Sequence, residues 1–214
     1  MDLEKLFTNI YEKKSWGKDI SSEFSGNSGG GSNLIDQNIQ IYIPFIKNFI
    51  KTKNINSVTD LGCGDFRCGE IIYNDLNVEY YGYDIYTDMI THHQNKYKDK
   101  SNYHFQHLNI IEKKEIIQIS ELCIIKDVLQ HLPNSCIYTL LDYLQDKFKY
   151  IIIVNTTYQS YDDQDTTNNN ENNIKIFRGL KHSYLPLKKY NPKLLLNYGL
   201  RDDPKEICLI TPEK

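Results

Sequence analysis

Strand-like and helix-like segments alternate along most of the chain, and this alternation restricts the fold more than any other feature. The predicted strands are Ser57–Leu61, Glu79–Asp84, Tyr103–Leu108, Glu121–Lys126, Tyr150–Asn155 and Glu206–Thr211. The predicted helices between them are Cys68–Asn74, Thr87–Tyr97, Lys113–Ile119 and Asn134–Lys147. Several strands are continuous apolar runs, which is typical of a sheet that helices cover on both faces. The order predicts an α/β, Rossmann-like fold with a mainly parallel sheet.

The C-terminal segment breaks this alternation. Leu194–Arg201 and Glu206–Thr211 are predicted strands, and the short segment Asp202–Lys205 between them is a predicted turn. Two strands joined by so short a connection pair antiparallel, because a parallel pair needs a long crossover. We therefore expect an antiparallel hairpin strand at the end of a sheet that is otherwise parallel.

The N-terminal part differs in character from the rest. Residues 1–33 are predicted to form a helix followed by a glycine-rich, lid-like loop, and residues 34–214 to form the main domain. The helix is predicted over residues 1–15, and the loop contains the only tryptophan, Trp16, and the sequence SGNSGGGS. The first segment of the main domain, Leu34–Lys51, is predicted to be mainly helical, with a kink or break at Pro44.

Composition narrows the class of protein. The 214 residues fit one domain or a domain with a short extension, and 40% hydrophobic and 25% charged residues are ordinary for a globular protein. The net charge of −3 disfavours nucleic-acid binding, since such proteins usually carry a basic face. No apolar run approaches the roughly 20 residues that span a bilayer, and no secretory signal is recognisable. Five scattered cysteines predict reduced thiols, so we expect a soluble cytoplasmic protein.

The segment VTDLGCGDFRCGE, residues 58–70, allows three interpretations, namely a metal site, a phosphate-binding loop of the Walker or dinucleotide type, and a turn beneath a ligand without phosphate. A zinc site is disfavoured, because Cys63 and Cys68 have no second pair of cysteines or histidines nearby. A Walker loop is excluded, because no Gly-Lys-Ser/Thr follows. A dinucleotide fingerprint is weakened, because Arg67 stands where its third glycine should lie.

The third interpretation is a nucleotide-like ligand without phosphate. Asp60 comes at the end of a strand, and Gly62 and Gly64 follow in the turn, where glycine allows a ligand to approach the backbone. An acid in this loop repels phosphate but suits a cationic ligand such as S-adenosylmethionine (SAM). The ribose of that ligand needs a carboxylate at the end of the next strand, and Asp84 supplies one 20 residues after Gly64.

These residues resemble those of a known family. Asp60–Gly64 resembles motif I of the class I SAM-dependent methyltransferases, and Asp84 matches the acid that holds the ribose hydroxyls there. Lys126–Pro133 resembles the segment after strand four, and the resemblance covers roughly residues 34–214. It implies that Leu108 and Asn109 lie near the adenine.

The N-terminal part resembles a narrower subgroup of small methyltransferases. Its members have a Trp-Gly and Ser-Gly-rich opening, and some are encoded among sugar-modifying genes. The residues that carry this likeness are Trp16, Gly17, the SGNSGGGS loop, Asp65, Phe66, Asp127 and His131. The likeness favours a sugar or another small molecule as the methyl acceptor.

The resulting site predictions fall into three groups. The expected cofactor contacts are Asp60, Gly62, Cys63, Gly64, Asp84, Ile85, Leu108, Asn109, Asp127 and Trp16. The catalytic candidates are His131 and Asp127, which would share one face of a helix; alternatively Asp127 caps a helix and His131 only lines the pocket. The substrate-binding candidates are Arg178, His182 and Tyr158, although a surface arginine is an equal alternative for Arg178.

No set of metal ligands is predicted, and the need for a divalent metal is open at this point. Asp162, Asp163 and Asp165 could bind a cation only with a further acid, and a solvated loop is the favoured alternative. The remaining histidines are predicted to be helix-surface or strand residues, namely His92, His93, His104 and His107.

The leading hypothesis is a SAM-dependent methyltransferase that produces S-adenosylhomocysteine (SAH). Its expected reaction is O-methylation of a sugar, glycan or nucleotide-sugar. The alternatives are an RNA or protein methyltransferase, a catalytically silent SAM-binding subunit, and a nicotinamide enzyme. The position of Arg67 makes the last of these the least favoured.

Overall fold

The computed structural model describes residues 2–16, 38–157, 178–200 and 203–212. Contacts divide the chain into two compact units, Met1–Lys113 and Lys114–Lys214. The predicted lid-like loop, Tyr158 and the acidic segment 162–165 lie outside the described residues. The proposed boundary between residues 33 and 34 also falls there and stays a prediction.

The first unit contains three parallel strands in the order β3-β2-β1. Its strands are β1 (Ser57–Leu61), β2 (Glu79–Asp84) and β3 (Tyr103–His107). Its helices are α1 (Leu3–Glu12), α2 (Ile43–Lys53), α3 (Arg67–Tyr73) and α4 (Thr87–Lys96). The predicted bounds of β1 and β2 are confirmed, and β3 ends one residue earlier than predicted.

The second unit contains four strands in the order β4-β5-β7-β6. Its elements are β4 (Leu122–Lys126), α5 (Asn134–Leu144), β5 (Tyr150–Thr156), β6 (Lys193–Leu200) and β7 (Asp203–Ile210). Strands β4 and β5 are parallel, whereas β7 pairs antiparallel with both β5 and β6. The prediction of a Rossmann-like α/β fold, mainly parallel with an antiparallel C-terminal hairpin, is confirmed.

Some predicted elements differ from the structure. The predicted helix Lys113–Ile119 is wrong, because only a single 3-10 turn, Lys114–Ile116, forms there. Ile117 is buried, but Ile116 and Ile119 are exposed, so the segment buries too narrow an apolar face for a helix, and burial of such a face supplies most of the stability of a short helix.

The helical segment around Pro44 is divided, because a π-helical turn, Asn38–Tyr42, ends directly before α2. Pro44 lies in the first turn of α2, where a missing N–H is tolerated. The hairpin turn is tighter than predicted, because Pro204 and Lys205 belong to β7 and pair with Gly199 and Tyr198 of β6.

An aromatic cluster forms the core of the first unit. Phe66 is buried at its centre and lies two residues after Gly64. The rings in contact with Phe66 are Tyr73, Tyr80, His93, Tyr97, Tyr103 and Phe105. The turn after β1 is therefore anchored in the core through its next side chain. Within the described ranges, none of the helices has the length and apolarity to cross a membrane.

Candidate functional site

The turn after β1 depends on two glycines. Gly62 and Gly64 have φ angles of 83° and 53°, which L-residues with side chains rarely adopt. The backbone N–H groups of Gly62 and Cys63 donate to the carbonyl oxygen of Tyr83 at 2.8 and 2.9 Å. The turn therefore closes over the carboxyl end of β2.

The carboxylate of Asp84 lies at this same end of β2 and is buried. Its Oδ2 accepts a hydrogen bond from Gly64 N at 3.0 Å, and its Oδ1 accepts one from Tyr86 N at 3.1 Å. Burial raises the pKa of Asp84, while these backbone hydrogen bonds oppose the rise. A carboxylate offers about four lone-pair sites, so Asp84 keeps acceptor capacity for ligand hydroxyls.

His93 is a residue of this site that the sequence interpretation missed. Its Nε2 lies 2.7 Å from the carbonyl oxygen of Gly64, and because a carbonyl only accepts, Nε2 is the donor. The prediction that His93 lies on a helix surface is wrong, since the side chain is 2% exposed. Burial lowers the pKa of His93 to about 4, so the ring is neutral near pH 7. Its spacing from Met89 and Ile90 on α4 could have indicated a buried face.

Asp60 and Cys63 flank the turn. The Oδ2 atom of Asp60 accepts a hydrogen bond from the hydroxyl of Tyr80 at 2.9 Å, and the side chain is half-buried. Cys63 is buried, and burial together with the charges of Asp84 and Asp60 raises the pKa of its thiol. Cys63 is therefore a neutral packing residue and not a nucleophile.

The predicted adenine neighbours follow β2 and β3. The N–H of Leu108 donates to the carbonyl oxygen of Asp84 at 2.9 Å, and the carbonyl oxygen of Ile85 lies 3.0 Å from Nε2 of His107. Asn109 is buried, and its Oδ1 accepts from the N–H groups of the next turn, Ile111 and Glu112. Leu108 thus contacts the end of β2 at Asp84. Its proximity to an adenine, like that of Ile85 and Asn109, stays a prediction.

Helix α1 and Trp16 pack against the start of α4. The ring of Tyr11 stacks on Tyr86 with centroids 4.7 Å apart, and Trp16 contacts Tyr11 edge-on at 4.9 Å. Oε1 of Glu4 in α1 lies 3.2 Å from Nε2 of His107. Because the N–H of Tyr86 is bound to Asp84, these contacts bring Trp16 to the neighbourhood of the predicted ribose site.

Asp127 of the second unit is held by two lysines. Its Oδ1 lies 2.6 Å from Nζ of Lys205, and its Oδ2 lies 2.7 Å from Nζ of Lys126. Burial alone would raise the pKa of Asp127, but the two ammonium groups hold it well below its usual range. A carboxylate stabilised in this way is a poor proton acceptor at neutral pH.

The helix that was expected to carry Asp127 and His131 on one face does not form. Asp127 has a φ angle of 56°, and only a 3-10 turn, Leu129–His131, follows. Asp127 does not cap α5 either, because α5 begins later, at Asn134. The buried Gln130 ties this turn to β5 by accepting the N–H of Thr156 at 2.9 Å, and His131 is buried at the end of the turn.

Arg178 and His182, the substrate-binding candidates that the structure describes in this unit, both contact neighbouring protein groups. Arg178 is 2% exposed, so it is not a surface arginine. Its Nη2 donates to the carbonyl oxygen of Leu132 at 2.8 Å and to Oδ1 of Asn134 at 2.7 Å, which braces the start of α5. His182 Nδ1 lies 2.9 Å from Oε2 of Glu206.

Several solved structures to which this chain is similar are methyltransferases. The N-methyltransferase NodS from Bradyrhizobium japonicum WM9, in complex with SAH, aligns with a TM-score of 0.65 at 10% identity, over 97% of this chain and 99% of NodS. Magnesium protoporphyrin IX methyltransferase from Synechocystis PCC 6803, with bound SAM, aligns with a TM-score of 0.63 at 16% identity, over 100% and 98% of the two chains.

A third solved structure was determined with a sugar. The N-terminal domain of EvdMO1, in the presence of SAH and D-fucose, aligns with a TM-score of 0.60 at 10% identity, over 100% of this chain and 98% of that domain. The chain has a Rossmann-like methyltransferase fold. The sequence itself matches no protein-family model and no curated protein. At these identities the likeness concerns the fold alone.

Proposed function

We propose that the protein is a SAM-dependent methyltransferase. The observation that carries this proposal is the glycine turn after β1, whose Gly64 amide is bound to the buried carboxylate of Asp84. The glycines of the turn let a ligand approach the backbone closely. The carboxylate beside them can accept hydrogen bonds from two vicinal hydroxyls, such as those of a ribose. It offers no lysine in the turn for a phosphate, and Arg67 replaces the glycine of a dinucleotide site.

The residues of the first unit fit SAM in type and position. Asp84 would accept hydrogen bonds from the ribose hydroxyls, and the charge of Asp60 suits the cationic amino acid end of the cofactor. The backbone of the turn at Gly62 and Gly64 would lie against the part of SAM between its amino acid end and its ribose. The flanking contacts would come from Cys63, Ile85, Leu108, Asn109 and Trp16. When bound, SAM supplies an electrophilic methyl group and leaves as SAH.

A sugar hydroxyl is the acceptor that we favour. The net charge of −3 argues against a polyanionic nucleic acid, and EvdMO1, which shares the fold, was solved in the presence of a sugar. A hydroxyl acceptor must lose a proton, and His131 is the candidate base because Asp127 is committed to two lysines. Arg178 is engaged with α5, so we assign it no direct contact with the acceptor.

Isothermal titration calorimetry with SAM and SAH tests the cofactor. We expect both ligands to bind and NAD to give no heat at the same concentration. The absence of binding by SAM and SAH at millimolar concentration would reject the proposal.

Incubation with labelled SAM and separate pools of nucleotide-sugars, glycans, RNA and protein tests the acceptor. We expect label in a sugar-containing pool. Label in RNA or protein would instead support those substrates. SAM binding without transfer to any pool, together with a stable partner protein, would identify a silent binding subunit.

A further inference from the structure

Three side chains with metal-binding atoms meet beside β7, in the second unit. The Nδ1 or Nε2 of His182, a carboxylate oxygen of Glu206 and Sγ of Cys208 all lie within 4.8 Å of one another. In a tetrahedral zinc site with bonds of about 2.0–2.3 Å, the ligand atoms lie about 3.3–3.8 Å apart. Small side-chain rotations therefore suffice to bring the three atoms onto a common ion.

The strand geometry explains why these residues meet. Glu206 and Cys208 are two residues apart on β7, so both side chains project from the same face of the sheet. The carboxylate of Glu206 is already oriented, because Oε2 accepts the backbone N–H of His182 at 3.0 Å and lies 2.9 Å from Nδ1 of the same residue. The ligand set thus consists of two buried residues and one histidine whose side chain is 25% exposed and open to solvent.

A fourth residue beside this cluster has an unmet hydrogen-bonding requirement. Asn155 of β5 lies opposite Glu206 in the antiparallel register, which places both side chains on one face. Asn155 is buried, and its Oδ1 has no hydrogen-bond partner among the residues that the structure describes. Buried polar atoms of this kind usually face a water molecule or an ion. This observation is independent of the three candidate ligands.

The chemistry of the donor set selects the metal. Imidazole nitrogen, carboxylate oxygen and thiolate sulfur are the three protein ligand types of zinc, whereas magnesium and calcium prefer oxygen alone. We propose that His182, Glu206 and Cys208 bind one divalent ion of the zinc class. Three protein ligands leave one position of a tetrahedral ion for water, and Oδ1 of Asn155 offers an acceptor to such a water.

Binding of the ion is balanced by loss of one proton. The thiol of Cys208 releases its proton to solvent as the Sγ–metal bond forms, and His182 coordinates as neutral imidazole. No oxidant or reductant takes part, since zinc keeps its charge. The site lies on β7 and does not depend on the proposed cofactor site of the first unit.

Cobalt(II) is a suitable probe, because a tetrahedral cobalt–thiolate site absorbs strongly in the near ultraviolet. The full chain, reduced and freed of metal, is titrated with cobalt(II) while absorbance is recorded. We expect a saturable sulfur-to-cobalt band at one equivalent per chain, and its loss when zinc is added. The absence of such a band would overturn the proposal.

Matched variants test the assignment of the ligands. Cys208→Ser and His182→Ala are each expected to weaken cobalt(II) binding by more than about 100-fold. Loss of a residue that only hydrogen-bonds to a metal ligand weakens metal binding by about 10- to 100-fold. Cys136→Ser and His104→Ala change the same residue types elsewhere and should leave the band intact.

Substitution of the buried Cys208 can disturb folding, so circular dichroism accompanies each titration. The partly exposed His182 gives a second test that does not depend on the buried core. A band that survives in both Cys208→Ser and His182→Ala would contradict the assignment. None of these measurements uses SAM, so their failure is distinct from failure of the proposed methyltransferase activity.

Discussion

The imidazole of His93 donates a hydrogen bond to the carbonyl oxygen of Gly64 across 2.7 Å. The N–H of the same glycine donates to the carboxylate of Asp84 at 3.0 Å. Gly64 is thus held on both sides, by α4 and by the end of β2. The shape of the proposed cofactor turn therefore depends on a side chain 29 residues further along the chain.

The buried His93 should make stability fall at acid pH. In the unfolded chain this histidine titrates near 6.5, whereas burial lowers the pKa in the folded state to about 4. Between these pH values the unfolded state binds more protons, so the free energy of unfolding decreases as the pH falls. The difference in pKa corresponds to about 3 kcal/mol. Urea unfolding at a series of pH values from about 7.5 down to about 4 measures this loss.

The variant His93→Gln isolates this contribution. Glutamine retains a donor for the Gly64 carbonyl but cannot be protonated, so the acid-dependent loss should be smaller by about 3 kcal/mol. The titratable groups that face His93 are Lys96 and His92 on α4 and Glu70 on α3, and all three are unchanged in this variant. An identical pH dependence in wild type and variant would contradict the buried, neutral imidazole.

Asp84→Asn should weaken cofactor binding. The substitution removes the charge and replaces one acceptor oxygen by an N–H donor, which cannot accept from a ribose hydroxyl. Loss of a hydrogen bond to a charged group costs about 1.5–3 kcal/mol, or about 10- to 100-fold in Kd. Calorimetry with SAH measures the change.

Asp88→Asn is the matched control for Asp84→Asn. Asp88 is exposed at the start of α4, and the control variant should bind SAH like wild type. Because Asp84 also accepts the amides of Gly64 and Tyr86, its variant needs a check of folding by circular dichroism at the titration temperature. Equal affinity in a folded Asp84→Asn protein would remove Asp84 from the site.

The sequence predicted those features that local pattern determines. The alternation of strand-like and helix-like segments located β1 and β2, and it placed the glycine turn and Asp84 at the ends of these two strands, where Gly64 N and the Asp84 carboxylate meet. These features depend on residues that stand at the ends of neighbouring strands. The parallel order of the sheet then brings them together.

Other parts of the two sites arise only from distant packing. Lys205 reaches Asp127 from 78 residues away, and nothing in the local sequence around Asp127 indicates that partner. The positive φ angle of Asp127 likewise replaces an expected helix by a short turn. In the cluster of His182, Glu206 and Cys208, two residues come from β7 and the histidine comes from a preceding loop. Because the histidine is distant from the other two in the sequence, ligand spacing along the chain does not indicate the cluster.

Gly69→Ala should destabilise the protein although alanine favours helices. A Cβ atom at this position of α3 would overlap the ring of Phe66, which is buried in the aromatic cluster. Overpacking of a core costs about 1–3 kcal/mol, whereas the gain in helix propensity is about 1 kcal/mol. Urea unfolding should therefore show a net loss of stability.

Two further variants test the cause of that loss. In a Phe66→Leu background the overlap is relieved, so Gly69→Ala should become neutral or stabilising. Ile71→Ala, at an exposed position of the same helix, should change the free energy of unfolding by less than about 0.5 kcal/mol. If Gly69→Ala destabilises the wild-type and the Phe66→Leu proteins equally, the loss comes from the helix itself and not from the ring.

Removal of Asp127 should be costly because it leaves cations buried. Lys205 is 3% exposed, and Asp127→Asn removes the carboxylate that contacts both Lys205 and Lys126 at 2.6 and 2.7 Å, while Asp203 lies farther from Lys205, at 3.6 Å. Loss of one partner of a buried pair costs about 3–5 kcal/mol. Asparagine tolerates the positive φ angle at this position, so the backbone contributes little to the loss.

The double variant Asp127→Asn with Lys205→Met separates charge from packing. Its destabilisation in urea should be smaller than the sum of the two single variants by at least about 1 kcal/mol, because Lys205 then no longer needs a counter-charge. Asp142→Asn is the control, since Asp142 pairs with Lys189 at 2.6 Å while both side chains are 46% exposed. An exposed pair contributes about 0–1 kcal/mol. Equal losses of stability in Asp127→Asn and Asp142→Asn would show that burial adds nothing to the cost of removing the carboxylate. A larger loss in Asp127→Asn, as we expect, would show that the ion pair between Asp127 and Lys205 stabilises the contact of the turn after β4 with β7.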